Sequence, residues 1–109
     1  MTDPLPIMRG TLELLVLRAL AWRAMHGFEI VTWLGERASG GLELLDSALY
    51  QALYRLEGKR FIRARWGTTD NKRRARYYEL TSIGRAHLKA QSAQWMRYAS
   101  TITAILAPS

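Results

Sequence analysis

The chain has 109 residues, of which 49% are hydrophobic and 23% charged, values typical of one globular domain and not of a disordered or collagen-like chain. It contains no cysteine, which excludes disulfide scaffolds, thiol catalysis and cysteine-based zinc sites. Sixteen basic residues outnumber nine acidic ones, so the formal net charge is +7.

The N-terminal region lacks the pattern of a secretory signal. Its first residues are acidic and interrupted by Pro4 and Pro6, without a basic segment followed by an apolar one. The longest apolar stretch, residues 14–22, contains Arg18 and is shorter than the roughly 20 residues that a membrane span requires. We therefore expect a cytoplasmic protein with no transmembrane helix.

The positive charge is concentrated in one segment. Between Arg55 and Arg76 there are nine basic and two acidic residues, whereas the charges of the remaining chain balance. A local basic field attracts a polyanion, because Lys and Arg side chains displace the counterions condensed on phosphates. Nucleic acid is the favoured partner and an anionic membrane surface the second; the alternative is a solvated surface that maintains solubility.

Apolar residues recur at helical spacing in the N-terminal half. The first helix is predicted over residues 10–22, with Thr11 as its cap. A second, shorter helix follows His26-Gly27 and should end before Gly40-Gly41. Residues 42–44 are predicted to form a short strand or an extended link.

A third helix, capped by Asp46 or Ser47, has two different faces. One face is an apolar stripe made by Leu49, Ala52, Leu53 and Leu56. The other face combines hydroxyl, aromatic, amide and guanidinium groups without any acid, and its members are Ser47, Tyr50, Gln51, Tyr54 and Arg55. Because Gln pairs with adenine and Arg with guanine or phosphate, this face is a candidate DNA-binding surface. The alternative is that Tyr50 belongs partly to the core and the rest is ordinary surface.

Two β-prone segments, residues 61–66 and 75–80, bracket a polar and turn-rich stretch. They predict a β-hairpin whose tip carries the basic side chains Lys72, Arg73, Arg74 and Arg76. Tyr77 and Tyr78 point to opposite faces of their strand, so one of them is expected in the core.

The last helix is predicted over residues 85–106 and carries a heptad-like seam. The seam consists of Leu88, Gln91, Trp95, Tyr98, Ala99, Ile102, Ile105 and Leu106. One helix cannot bury such a seam alone, so we expect a homodimer; the alternative is that the helix folds back on its own domain. The predicted fold is mainly α with a small β-hairpin (α+β), a winged helix-turn-helix over residues 1–82 with an N-terminal arm, followed by a C-terminal dimerisation helix over residues 83–109. The two parts form one structural unit.

Four motifs follow one another along the chain, and they are RGTLELLVL at 9–17, HGFEI at 26–30, ALYQALYRLE at 48–57 and RRARYYELT at 73–81. In this order they resemble the PadR family of bacterial transcriptional regulators. The single terminal helix resembles the compact branch of that family, whose members dimerise through it and bind operators as repressors. The resemblance implies that the third helix enters the major groove and that the wing touches the backbone or the minor groove. The resemblance therefore implies that the five polar-face residues of the third helix and the four basic residues of the hairpin face the DNA.

The sequence departs from the family pattern at three positions. Ala48 stands where the family usually has Ser, and Gln51 where it usually has Pro, so an operator preference cannot be borrowed. Arg60 stands where the family favours Gly, a position that is left-handed. The helix is therefore expected either to end differently or to have a strained connection.

Other functions have less support from the sequence. His26 and His87 form no catalytic or metal-ligand constellation, so we expect neither an enzyme nor a cofactor, and His26 is interpreted as structural. The alternative function is a winged-helix homodimeric adaptor that binds protein or an anionic surface. Trp22, Trp33 and Trp95 are candidates for a pocket between subunits that takes a small aromatic effector, although Trp is more often a core residue.

Overall fold

A computed structural model describes residues 3–8 and 10–108; Arg9, the first residue of the RGTLELLVL motif, lies outside them. The elements in chain order are β1 (Leu5–Pro6), α1 (Thr11–Trp22), β2 (Met25–His26), α2 (Gly27–Ala38), β3 (Leu42–Glu43), α3 (Asp46–Gly58), β4 (Ile62–Thr68), β5 (Arg74–Leu80) and α4 (Ser82–Leu106). Three helices, a β-hairpin and a long terminal helix give the α+β winged-helix arrangement that the sequence predicts.

The core lies between α1, α2, α3 and the inner face of the wing. Helix α3 contributes the predicted stripe, since Leu49, Ala52, Leu53 and Leu56 are all buried. Val16, Leu17, Ala19 and Leu20 of α1 pack against it together with residues of the sheet. Burying each large aliphatic side chain contributes about 1.5–3 kcal/mol, so this stripe fixes which face of α3 is turned outward.

In two helices the N-cap residue lies before the predicted one. Gly10, in the left-handed region at φ 84°, precedes α1, and the N–H of Thr11 already closes a turn onto Met8 O at 3.0 Å. Leu45 precedes α3, because its carbonyl accepts the first helical hydrogen bond from Leu49 N at 3.0 Å. The predictions that Thr11 caps α1 and that Asp46 or Ser47 caps α3 are therefore wrong; Asp46 instead places a carboxylate in the first turn of α3, where the helix dipole favours it.

Helix α2 begins with a capping box built on His26. The Glu29 backbone N–H donates to His26 Nδ1 at 3.3 Å, and the His26 backbone N–H donates to Glu29 Oε1 at 3.1 Å. Arg23 Nη2 donates to the other carboxylate oxygen at 3.1 Å. Burial opposes ionisation of Glu29, but the hydrogen bonds from His26 and Arg23 outweigh it and hold the pKa below its usual value. His26 thus has the structural role expected of it.

The wing is a three-stranded antiparallel sheet in the order β2-β5-β4. Strands β4 and β5 form the predicted hairpin, with Ile62 opposite Leu80 and Thr68 opposite Arg74. The short strand β2 joins the free edge of β5, which ties the wing to the start of α2. Tyr78 is the core tyrosine, 8% exposed, and burial raises the pKa of its hydroxyl. A separate parallel pair links β1 to β3.

Helix α3 ends in a Schellman motif. The N–H of Phe61 donates to Leu56 O at 3.1 Å and the N–H of Arg60 donates to Glu57 O at 3.0 Å. Arg60 has φ 62°, in the left-handed region that favours glycine. Of the two alternatives for this position, the strained connection is the one found.

The first turns of α4 are fixed to the core. Thr81 caps the helix by accepting a hydrogen bond from Gly84 N at 3.1 Å, and its hydroxyl donates to Arg60 O at 2.7 Å. A Cβ at Gly84 would lie 1.9 Å from Phe61 O, so only glycine allows this approach. His87 stacks on Phe61 with ring centroids 4.1 Å apart.

Beyond these turns α4 leaves the core. Leu88 is the last buried residue of the helix within the part of the chain that the structure describes. The molecule is therefore elongated, measuring 56 × 35 × 20 Å.

Candidate nucleic-acid interface

All five polar-face residues predicted on α3 lie on its exposed side, and they are Ser47, Tyr50, Gln51, Tyr54 and Arg55. The Tyr54 side chain is the most open of these aromatic residues, with Tyr54 80% and Tyr50 54% exposed. Ser47, Gln51 and Tyr54 lie opposite the buried stripe and form a central strip. Tyr50 and Arg55 lie on the two flanks of this strip, because each residue advances about 100° around the helix.

Tyr50 lies directly against the first residue of α2. A Cβ added to Gly27 would be 2.6 Å from the Tyr50 hydroxyl, so glycine is required for the ring to take this place. The ring remains 54% exposed. Sequence reasoning missed Gly27 as a residue that positions the site; the only signal for it was its place immediately after the helix cap.

The Arg55 flank of α3 is joined to α1. Arg55 Nε donates to Glu13 Oε1, and Lys59 Nζ lies 3.7 Å from Glu13 Oε2. The Arg55 side chain is still 50% exposed. One carboxylate of α1 therefore faces two cations of α3.

The opposite flank of α3 is joined to the wing. Arg76 Nη2 on β5 donates to Glu57 Oε2 at 2.7 Å, and the Arg76 side chain is 47% exposed. Arg76 thus differs from the other predicted wing residues, since it lies close to α3 and has an acidic partner.

The wing tip presents the rest of the basic cluster. Lys72, Arg73 and Arg74 are all exposed. The turn is closed by Lys72 N–H donating to Thr69 O at 2.9 Å and Thr69 N–H donating to Arg73 O at 2.8 Å. Within residues 3–8 and 10–108, neither Lys72 nor Arg73 pairs with a carboxylate. These two side chains are therefore free to bind anions.

An aromatic groove lies between the start of α2, helix α3 and the wing, and sequence reasoning did not find it. Its lining includes Gly27, Phe28, Tyr50, Trp66 and Arg74. The Arg74 guanidinium lies 4.6 Å from the centre of the Trp66 ring, a cation–π distance. Strand alternation was the available signal, since residues 66, 74 and 76 share one face of the hairpin.

The seam residues of α4 divide into two groups. Leu88 is 9% exposed and belongs to the core of its own chain. The large apolar residues that follow are exposed, and they are Trp95, Tyr98, Ile102, Ile105 and Leu106. Gln91 is also exposed and Ala99 is half-buried.

The three tryptophans named as effector candidates lie at different places in one protomer. Trp95 lines a cavity of about 330 Å³ between α1 and α4, together with Leu14, His87 and Tyr98. Trp33 lines another cavity, of about 270 Å³, beside Arg18 and Arg37. Trp22 is exposed at the C-terminal end of α1.

No group of three or more His, Cys, Asp or Glu residues within residues 3–8 and 10–108 is arranged to hold a metal ion. No helix of that part is both long and apolar enough to cross a membrane.

Known proteins resemble this chain over most of its length. An uncharacterised protein of Lysinibacillus sphaericus is 30% identical over 89 residues, which is 82% of each chain. A PadR family transcription regulator from Clostridium difficile R20291 has 25% identity and a TM-score of 0.79, covering 90% of this chain and 100% of its own. A PadR family transcriptional regulator from Eggerthella lenta DSM 2243 has 28% identity and a TM-score of 0.78, covering 93% of this chain and 86% of its own.

The family assignment rests on a match to a family as a whole. Residues 16–90, which include α2, α3, the wing and the start of α4, match the family described as "Transcriptional regulator PadR-like family". The chain therefore belongs to the PadR-like family, whose members are DNA-binding transcriptional regulators and not enzymes.

Proposed function

We propose that the protein is a homodimeric repressor that recognises an inverted-repeat operator in double-stranded DNA. The observation that carries this proposal is the exposed, acid-free strip of Ser47, Gln51 and Tyr54 beside a basic wing tip. Helix α3 is the recognition helix, and it enters the major groove. The wing contacts the backbone or the adjacent minor groove.

The side chains divide by the kind of contact they make. Gln51 suits the paired donor and acceptor that adenine presents in the major groove, and Tyr54 supplies a hydroxyl and a ring face at the same depth. Lys72 and Arg73 are exposed cations that suit phosphates, which position a protein without reading sequence. Ser47, Tyr50, Arg55, Arg74 and Arg76 complete the proposed DNA surface.

The exposed side of α4 supports a dimer. The helix has 25 residues, a length of about 37 Å at 1.5 Å per residue. Its distal half carries the large apolar side chains named above, and a second copy would remove them from water. A two-fold dimer would place its recognition helices about one DNA turn, roughly 34 Å, apart. Such a dimer covers two half-sites and would exclude other proteins from that DNA, which is repression.

A small aromatic effector is part of the proposal. The cavity beside Trp95 opens next to the apolar seam, so a ligand there would contact the dimer interface. Indole faces stack well on planar rings. A panel of small planar aromatic compounds should include some that release DNA from the wild-type protein and fail to release it from Trp95→Ala protein.

Selection of duplexes from a random DNA pool tests the main proposal. The wild-type protein should enrich an inverted repeat, and its affinity should fall with salt at a log–log slope of about −0.9 per phosphate contact. A slope near zero without enrichment would contradict the proposal. That result would favour the adaptor function instead.

A further inference from the structure

Two acid–arginine pairs hold the recognition helix, one at each flank. Glu13 of α1 accepts from Arg55 and also faces Lys59, and Glu57 accepts from Arg76 of the wing at 2.7 Å. Arg55 and Glu57 are two residues apart and therefore about 160° apart around the helix. The two pairs thus lie on opposite sides of the central strip.

Stability does not account for these pairs. The Arg55 and Arg76 side chains are about half exposed, and ion pairs exposed to that extent contribute little to folding. The two carboxylates have a larger effect on the conformation of the arginine side chains than on the stability of the fold. Fixing an Arg side chain costs rotamer entropy, and a pre-existing pair removes part of that cost from a later binding step.

Each arginine keeps donors available for a second partner. A guanidinium has five N–H groups in a planar fork, and Arg55 donates here through Nε whereas Arg76 donates through Nη2. The other N–H groups of both side chains can reach an anion while the carboxylate stays in place. In DNA that anion is a backbone phosphate, which a guanidinium fork can bind through two N–H groups.

We infer that Glu13 and Glu57 are positioning residues for DNA recognition. Each holds its arginine so that the remaining N–H groups meet phosphates on the two walls of the groove that the recognition helix enters. Because Glu57 is on α3 and Arg76 on β5, its pair also fixes the wing relative to the helix. This inference rests on the proposed DNA recognition by α3.

Charge repulsion and positioning predict different effects when Glu13 or Glu57 is removed. A carboxylate near DNA repels phosphates, so its removal should strengthen binding to every sequence. Positioning instead predicts that removal weakens recognition of the correct sequence relative to other sequences. The ratio of the two affinities, and not either affinity alone, therefore separates the two models.

The test uses Glu13→Gln and Glu57→Gln, with Glu36→Gln as a control that removes the same charge from the exposed side of α2. Binding is measured to a duplex selected by the wild-type protein and to an unselected duplex of equal length. We expect each of the first two variants to lower the ratio of affinities about two- to fivefold, and the control to leave it unchanged. An equal rise in both affinities for Glu13→Gln and Glu57→Gln would overturn the inference.

A second measurement asks whether Glu57 acts through Arg76. In an Arg76→Ala background, Glu57→Gln should leave the ratio unchanged, because its partner is already gone. Arg76→Lys keeps the charge but not the fork, and should lower the ratio as Glu57→Gln does. Thermal unfolding followed by circular dichroism identifies the temperature range in which all variants are folded.

The two proposals fail in different ways. If the wild-type protein enriches a sequence but the ratio stays constant in both Gln variants, only the positioning role is wrong. A further drop caused by Glu57→Gln in the Arg76→Ala background would also refute it. If the wild-type protein enriches no sequence, the proposed function fails and the positioning role fails with it.

Discussion

At the residue scale, two glycines of this chain have opposite sensitivity to a methyl group. At Gly84 a Cβ would lie 1.9 Å from Phe61 O, a backbone atom that cannot move without displacing the start of β4. Gly58, in the last turn of α3, has nothing within 4 Å of the same position.

We therefore expect Gly84→Ala to lower the free energy of unfolding by about 3 kcal/mol or more, since overpacking against backbone has no relaxed alternative. Gly58→Ala should raise it by about 0.5–1 kcal/mol through helix propensity. Urea unfolding measures both. A mild effect of Gly84→Ala would mean that α4 does not approach Phe61 this closely.

Arg60 offers a second test at the same scale. Its φ of 62° is a conformation that costs an L-residue about 1–2 kcal/mol, and glycine avoids most of that cost. Arg60→Gly should therefore stabilise the protein by roughly 1 kcal/mol and raise the melting temperature. Lys89→Gly, which removes the same charge from the regular helix α4, should instead destabilise it by about 1 kcal/mol. If both variants lose stability, the left-handed assignment of Arg60 is contradicted.

At the scale of elements, the capping box of α2 predicts a pH dependence. The folded pKa of Glu29 lies below its ordinary value of 4.5, so the carboxylate stabilises the fold fully above pH 4.5. That contribution is lost as the pH falls through the folded pKa. Glu29→Gln keeps a capping oxygen but has no charge to lose.

The stability difference between the wild-type protein and Glu29→Gln should accordingly shrink as the pH falls from 6 to 3, as measured by thermal unfolding. Glu79, whose pKa is lowered by Arg63, is present in both proteins and cancels in the difference. A difference that stays constant across this range would show that the Glu29 charge does not support α2.

The recognition helix and the wing tip should respond differently to truncation. Gln51→Ala or Tyr54→Ala removes a contact to base edges and should cost about 1–3 kcal/mol on the selected duplex, with less effect on random DNA. Arg73→Ala should weaken binding to both duplexes more evenly and reduce the salt slope by about one contact. The reverse pattern would mean that the wing reads the sequence and the helix only positions it.

At the scale of the whole molecule, the exposed half of α4 determines assembly. Trp95→Glu would place a charge in the seam of both chains at once, and burial of an unpaired charge is costly. We expect the dimer dissociation constant to rise about 100-fold or more, with a large loss of operator affinity and no loss of core helical signal. Sedimentation equilibrium at micromolar concentration measures the change.

Ala93→Glu is the matched control, because residue 93 is exposed and about 160° away from Trp95 around the same helix. It should remain dimeric. A monomeric wild-type protein, or a tight Trp95→Glu dimer, would show that this seam is not the interface, and the inverted-repeat proposal would lose its basis.

The sequence by itself determined those features that depend on residue spacing within one element. The buried stripe of α3 and its polar opposite face follow from a period of 3.6 residues, and both are found as predicted. The hairpin, the basic tip and the place of Tyr78 follow from strand alternation and turn chemistry in the same way. Family-specific motifs then identified how these elements are combined.

The tertiary structure decided which distant residues meet. Glu13 and Arg55 are 42 positions apart, and no local pattern indicates that their side chains pair. The place of Tyr50 against Gly27, the addition of β2 to the wing and the assignment of Leu88 to its own core depend likewise on how the helices and the sheet pack. Periodicity specifies the face that each element buries, whereas the partner of that face is set by competition among all elements for the same core.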